Sequence, residues 1–376
     1  VTEHPHTLPP QGSAAPSVGR DGDDPAPLRT LEVQSRCLAA AALARGIPLS
    51  VVRAARSPSH PVRQWLRLAI GDRVYAYRVG MLLRAPDGAP WRHVNGAAAA
   101  ITTNKARTKA ILAAAGVPVP AGAVFDAGDL SGALAHAAAA GCAQCVKPNN
   151  GMKGIMVFPG LTDAAAVRTA FERAGSRFAR ILVEDSVEGE VIRFFLAGAR
   201  AVAVSLNRPA NVTGDGAATI ARLIEAKNRE RAVRALPDHL PIIVDDDLLG
   251  HLAGQGLSLA SVPAAGMRVL LRATSNGATG ADSIACPGDT HPSYAAVAET
   301  ACRAIPGLVV AAVDMVVADR GRPAAPDNHR VLEINSSPGV VLYHYPWEGE
   351  AQDVSGAILD HLIALPPCPT DTTGRP

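Results

Sequence analysis

The stretch Val331-Leu332-Glu333-Ile334-Asn335-Ser336-Ser337-Pro338-Gly339 sets a carboxylate and an amide two residues apart in an apolar run. Such a run reads as a strand, and side chains two apart on a strand share a face, so Glu333 and Asn335 point the same way. A second apolar run, Leu308-Val309-Val310-Ala311-Ala312-Val313-Asp314-Met315-Val316-Val317, carries one acid. An acid is rarely buried without a partner. If the two strands are neighbours, Asp314, Glu333 and Asn335 form a compact cluster of oxygen ligands. Hard divalent cations, Mg²⁺ above all, select such ligands and hold nucleotide phosphates as well. The plainer alternative is polar groups at strand ends satisfied by water.

Cations point to the same chemistry. Positive charge is almost all arginine, and the only lysines are Lys105, Lys109, Lys147, Lys153 and Lys227. A chain that otherwise uses Arg keeps Lys where a compact ammonium is required, and four of these five fall within 105–153. Chance clustering on a helix and a loop is the competing explanation. Gly151 and Gly154 sit between two predicted strands, with Lys147 before them and Lys153 inside the loop. Free backbone N–H groups beside ammonium groups make a phosphate cradle, although a glycine-containing hairpin is also a common structural element. No G-K-[ST] opens a helix here, so this is not a P-loop. The stretch Ile181 to Glu190 runs from an apolar strand into an acidic connector. Between two lobes, a connector of that kind offers backbone groups to a purine and a carboxylate to a ribose; taken alone it is a solvated linker.

These groups need a scaffold, and 376 residues with 48% hydrophobic content bound two or three domains with a buried core. A formal net charge of +2 argues against nucleic acid as the main partner. No apolar run reaches the roughly 20 residues needed to cross a bilayer, so no membrane partner and a cytoplasmic location are expected. The lone Cys142-x-x-Cys145 pair lacks the other ligands of a structural zinc site and reads as two reduced thiols.

The pattern predicts a disordered tail over 1–27, a small N-terminal α/β unit over 28–100, a lobe over 101–185, a larger lobe over 186–365 and a frayed end over 366–376. Helices are predicted from Leu31 to Ala44, Lys105 to Ala115, Ala133 to Ala140 and Ala164 to Ala174, and near 217–235, 246–254, 293–304 and 353–364. Strands are predicted from Ile47 to Val52, Gln144 to Pro148, Ile155 to Phe158 and Arg180 to Glu184. Hairpins are predicted from Val74 to Arg84 and from Val191 to Leu206. The fold class is α+β.

In order and content these motifs resemble the ATP-grasp carboxylate–amine ligases, most of all the ATP-grasp portions of bifunctional glutathione synthetases and of cyanophycin synthetase. The resemblance runs from about Leu31 to Leu362. It is carried by Ile101 to Lys109 with Ala115 to Pro120, by Val146-Lys147-Pro148, and by Val183-Glu184 through Glu190 to Arg193. It continues in Arg208-Pro209-Ala210-Asn211-Val212-Thr213-Gly214-Asp215-Gly216, in Leu271-Arg272 through Asn276 to Asp282, and in Asp314 with Glu333 to Gly339.

The resemblance implies two α+β lobes gripping ATP behind a small N-terminal unit. It implies that Lys105 and Lys147 hold phosphates, that the loop with Asn150, Gly151 and Gly154 closes over the γ-phosphate, that Glu184 and the backbone near Val187 take the adenine, and that Glu190 takes the ribose. By the same resemblance, Asp314, Glu333 and Asn335 bind two Mg²⁺ ions, replaceable by Mn²⁺. Arg193 and Arg272 act on the phosphorylated intermediate or the acid substrate, while Arg208, Asn211 and Asn276 lie toward the acceptor. The chain departs from the family pattern at Met152, Lys153, Ala281 and Ala285, on the loop and the substrate side.

Activation of a carboxylate by phosphoryl transfer, then attack by an amine, follows from this set. The implied partners are small amino-acid substrates, with a homodimer as one assembly. Extension of a peptide or protein terminus is the alternative use of the same chemistry, and a nucleotide-binding module without ligase activity is a third. His251, His291 and His344 are expected to be structural or substrate-contacting.

Overall fold

A computed structural model describes residues 26–54, 63–85, 90–151 and 154–366. The tail expected over 1–25, the end over 367–376, and Met152 and Lys153 of the glycine loop lie outside the described residues.

Three main sheets, all antiparallel, organise the described residues. The first is a five-stranded meander from Leu49–Ala54 to Arg92–His93. Its tight turn, Val79-Gly80, has φ of +47° and +77°, as a two-residue hairpin connection requires. Helix Val33–Ala44 lies on this sheet and starts at Glu32, whose carboxylate accepts from the Gln34, Ser35 and Val79 amides at 2.7, 3.0 and 3.0 Å. Among the described residues this unit has no separate core on that face. Leu38, Leu66, Tyr75 and Tyr77 share one apolar cluster with Phe195, Tyr343 and the last helix, Val354–Ala364.

The central sheet has strand order Asp282–Ala285, Arg200–Arg208, Glu190–Ala197, Val310–Val317, His329–Asn335. Alternation splits its two faces. Ile192, Phe194, Leu196, Val313, Met315 and Val317 point into the largest core, under helices Ser293–Arg303 and Lys105–Ala114. Their sequence neighbours Arg193 and Asp314 therefore face the other way.

A bulge does the same for Glu333. Asp314 pairs with Glu333, but Met315 pairs with Val331, so Leu332 is the extra residue. Val331 and Ile334, three apart, thus both reach the core, while Glu333 turns to the face of Asp314. Re-aiming a side chain is what a bulge beside a site achieves.

The third sheet has order Gly122–Asp126, Arg180–Asp185, Gln144–Pro148, Phe158–Leu161. It carries its own core of Val146, Phe171, Ile181 and Val183 under helices Leu130–Ala140 and Ala164–Gly175. The strand expected at Ile155–Phe158 starts only at Phe158, because Gly154 and Met156 have φ of +65° and +56° and break the extended run. Helix Lys105–Ala114, expected in this lobe, puts Leu112 into the core of the central sheet instead. Residues 211–270 form a smaller unit of strands Asn211–Thr213 and Arg268–Leu270 with helices Ile220–Arg234 and Asp246–Gly254.

Helix Gly96–Thr103 was not expected; its alanine-rich run shows no helical apolar period. Asn95 precedes it without capping it, because its amide is used across the sheet. The buried Asn95 donates to the Val310 and Ser336 carbonyls, both at 2.8 Å, and accepts from the Val309 and Val310 amides. It fastens the ends of the two acid-bearing strands to each other. His93 adds a 2.9 Å bond to the Ser337 hydroxyl. Gly80 lies so close to Ser337 and Pro338 that an added Cβ would stand 2.6 Å from the Ser337 oxygen.

Asn95→Ala leaves several buried backbone groups unpaired, each worth about 1–3 kcal/mol. Denaturant unfolding should show a loss of about 2–4 kcal/mol; a change under about 0.5 kcal/mol would contradict the clamp.

Candidate active site

One row of residues crosses the central sheet. Ser205 pairs with Arg193, Arg193 with Asp314, and Asp314 with Glu333. Arg193 grips the Asp314 carboxylate with two donors: Nε donates to Oδ1, and Nη2 to Oδ2 at 2.6 Å. Asn335 follows two residues after Glu333, and its amide lies 3.2 Å from Asp314 and 3.4 Å from Glu333. Lys105 Nζ is 3.3 Å from Glu333 Oε2 and donates to the Gly151 carbonyl at 2.6 Å. Burial pushes the Asp314 carboxyl up in spite of Arg193. At Glu333 burial acts in the same sense, but Lys105, Lys147 and Arg193 outweigh it and hold the carboxyl down at about 2.

Glu184 belongs to the third sheet and is buried. Lys147 Nζ lies 2.7 Å from its Oε1, and Lys109 donates to its Oε2. Burial opposes the charge on Lys147, but Glu184 overrides it and the pKa rises. Burial and the Lys147 charge lower Lys109 to about 8. Cys145, cross-strand from Glu184, is buried and its thiol is pushed up to about 11, while Cys142 is exposed. The buried Asn149 ties the loop down: its Oδ1 accepts the Ala106 amide at 3.0 Å, and its carbonyl accepts the Lys105 amide at 3.1 Å.

Each described lysine is therefore set on a carboxylate. The fourth, Lys227, lies 2.6 Å from buried Asp282, which also holds Arg231 and accepts from Asn211 at 2.8 Å.

Contacts gather Lys105, Gly151, Arg193, Asp314, Glu333 and Asn335, with the Lys147–Glu184 pair near enough to act on Glu333, at the junction of the central and third sheets, the candidate cleft. Asn150 adjoins through Asn149, whose amide donates to its side chain at 3.1 Å. Strand Arg180–Asp185 leaves one sheet and Glu190–Ala197 enters the other, so Val187 is on the connector between them. Glu190 is ion-paired with Arg320. Gly154 lies close to Asn276; a Cβ there would stand 3.6 Å from the Asn276 amide. Arg272 is held away from this row by Asp245, at 2.8 Å, and by the Ile243 carbonyl. Arg208 lies 3.5 Å from Glu348, and Asn211 joins the Asp282 cluster. His291 and His344 bond Ser293 and Ser355.

Lys109 and Asp282 stand in the motifs quoted from the sequence without a role of their own, and Asn149 opens the loop expected to close over the phosphate. The spacing of Lys109, four after Lys105, was the available signal for one of them. Nothing local gives the partners of Asn149 or Asp282, which are distant in the chain.

The donor set fits Mg²⁺. Among the described residues no group of three or more His, Cys, Asp and Glu could hold a metal alone. Two carboxylates and an amide oxygen are what Mg²⁺ takes when waters and substrate phosphates complete its shell. The guanidinium on Asp314 and the ammonium on Glu333 show that the pair demands cations. Asp314→Asn and Glu333→Gln should each cut Mn²⁺ binding in the presence of nucleotide at least tenfold by electron paramagnetic resonance. Asp314→Asn should also lower the melting temperature more than Glu333→Gln, because it strips the two-point partner from Arg193. Unchanged Mn²⁺ binding in both variants would remove the metal assignment.

No family model matches the chain. It is 34% identical over 309 residues to the glutathione biosynthesis bifunctional protein of Mannheimia succiniciproducens, covering 80% of this chain and 39% of that protein. It is 31% identical over 278 residues to the cyanophycin synthetase of Trichormus variabilis, covering 73% of this chain and 30% of that protein. Among solved structures, the bifunctional glutathione synthetase from Pasteurella multocida superposes with a TM-score of 0.61 at 28% identity, over 89% of this chain and 44% of that one. The chain thus spans 39% and 30% of the length of the two curated relatives.

Proposed function

The chain belongs to the ATP-grasp family, and on that premise we propose that it is an ATP-dependent ligase. It joins the carboxylate of one amino acid, with the γ-carboxylate of glutamate the first candidate, to the amine of a second, giving ADP and phosphate. The relatives' names, glutathione biosynthesis and cyanophycin synthesis, support amino-acid substrates. The observation that carries the reading is the in-register row Arg193–Asp314–Glu333 beside Lys105, facing Lys147 and Glu184.

A carboxylate is a poor electrophile because its charge repels an amine. In the proposed reaction its oxygen attacks the γ-phosphorus, the bond to the ADP oxygen breaks, and an acyl phosphate forms. The amine then attacks the carbonyl carbon, phosphate leaves, and the amine loses a proton. Phosphoryl transfer of this kind needs positioned phosphates and neutralised charge rather than a protein nucleophile. Lys105 and Lys147 hold the phosphates, exchanging Glu333 and Glu184 for them. Asp314, Glu333 and Asn335 would hold two Mg²⁺ ions, replaceable by Mn²⁺, which supply charge neutralisation and orientation. Arg193, released from Asp314, meets the charge that develops on the transferred group, and Arg272 acts on the acid substrate. Glu184 and the backbone near Val187 take the adenine, Glu190 the ribose, and Arg208, Asn211 and Asn276 the acceptor side. The loop with Asn150, Gly151 and Gly154 closes against Asn276 and excludes water, which would otherwise hydrolyse the acyl phosphate.

A screen of amino-acid pairs should yield ADP, phosphate and an amide, with one oxygen of an ¹⁸O-labelled donor carboxylate recovered in phosphate. AMP and pyrophosphate would refute the route, and an amide formed only with peptide acceptors would move the assignment to peptide extension. Lys147→Ala should weaken ATP binding about tenfold or more through loss of a charge-assisted contact, measured by calorimetry.

A further inference from the structure

Glu184 is one buried carboxylate carrying two buried ammonium groups. Lys147 lies on Oε1 and Lys109 on Oε2, and all three residues are less than a tenth exposed. One carboxylate balances one ammonium, so the trio keeps a net positive charge in a place sealed from water. The second lysine comes from a different element. Lys109 stands one turn beyond Lys105 on helix Lys105–Ala114, and residues four apart share a helix face. That helix is anchored in the core of the central sheet, while Glu184 and Lys147 are in the third sheet. Lys105 reaches Glu333 and Lys109 reaches Glu184, so the helix serves one carboxylate of each of the two sheets.

We propose that Lys109 is a positioning residue for the nucleotide: by keeping Glu184 paired, it frees Lys147 to exchange that carboxylate for a phosphate. The inference rests on the nucleotide reading of the cleft. Without Lys109, Glu184 and Lys147 form an exclusive pair. A phosphate could then take Lys147 only by leaving a buried carboxylate without a partner, which is strongly unfavourable. With Lys109 in place, Glu184 retains a counter-charge when Lys147 moves.

The groups facing Lys109 are Glu184, Lys147 and the Cys145 thiol. Burial and the Lys147 charge set its pKa at about 8. Its charge is therefore present at pH 7 and lost as pH rises to 9, when Glu184 is left to Lys147 alone. An arginine at this position stays charged throughout.

The test is calorimetric titration of ATP with Mg²⁺, without acid substrate, at pH 7 and pH 9. The proteins are the unaltered chain, Lys109→Met, Lys109→Arg, Glu184→Gln and the double variant Lys109→Met with Glu184→Gln. The unaltered chain should lose about tenfold in affinity between the two pH values, and Lys109→Met should be weaker by a similar factor already at pH 7. Lys109→Arg should bind alike at both pH values, and it carries the test if Lys109→Met does not fold. On the Glu184→Gln background, Lys109→Met should cost less than about threefold, because the competitor for Lys147 is gone. Equal affinity of Lys109→Met and the unaltered chain, or an additive loss with no alkaline limb, would overturn the role of Lys109. Absence of ATP binding by the unaltered chain at both pH values would overturn the nucleotide reading itself.

Discussion

Two carboxylates set opposite each other on neighbouring strands repel, and the structure is arranged around holding them there. Asp314 and Glu333 are direct cross-strand partners, a placement that like charges destabilise. Arg193 and Lys105 offset the repulsion from two sides. The bulge at Leu332 aims Glu333 at the cleft while its neighbours stay in the core. Asn95 ties the strand ends together, and the Val79-Gly80 turn packs under Ser337 and Pro338. The N-terminal sheet thus acts as a brace for the site, which accounts for its sharing a core with the last helix.

The second consequence is a coupling between lobes. Helix Lys105–Ala114 is anchored in one core and sends two lysines to carboxylates of two different sheets. Displacing the helix would expose buried charges on both sides of the cleft at once. Charge pairing therefore fixes the relative position of the elements that, in the proposed reaction, hold adenine, phosphates and metal. The same logic explains lysine usage: an ammonium is a compact charge that can change partners, whereas a guanidinium is held by a fork of fixed geometry.

Much of this was legible in the chain. Two apolar runs, each interrupted by an acid, marked both acid-bearing strands, and Glu333 and Asn335 do share a face with Asp314. The scarcity of lysine pointed at the cleft. Helix and strand positions over 130–185, the strand expected at Ile155–Phe158 aside, followed from apolar period and glycine or proline stops, with termini shifted by a few residues. What stayed hidden depends on partners far apart in sequence. Asn95 bonds residues 214 or more positions away, which no local pattern announces. Asp282 closes a quoted motif, but its cations come from a helix some fifty residues earlier. Helix Lys105–Ala114 buries Lys105, Thr108, Lys109 and Leu112 along one face, but its sequence does not say which core receives it.

The central claim is that this cleft activates a carboxylate with ATP, and interception of the activated acid tests it most directly. The protein is mixed with ATP, Mg²⁺, a panel of amino-acid donors and hydroxylamine, which needs no acceptor site. The account predicts a donor-specific hydroxamate formed in step with ADP, and none from the Glu333→Gln variant. ATP turnover with no hydroxamate from any donor, or a hydroxamate accompanied by AMP, would contradict it.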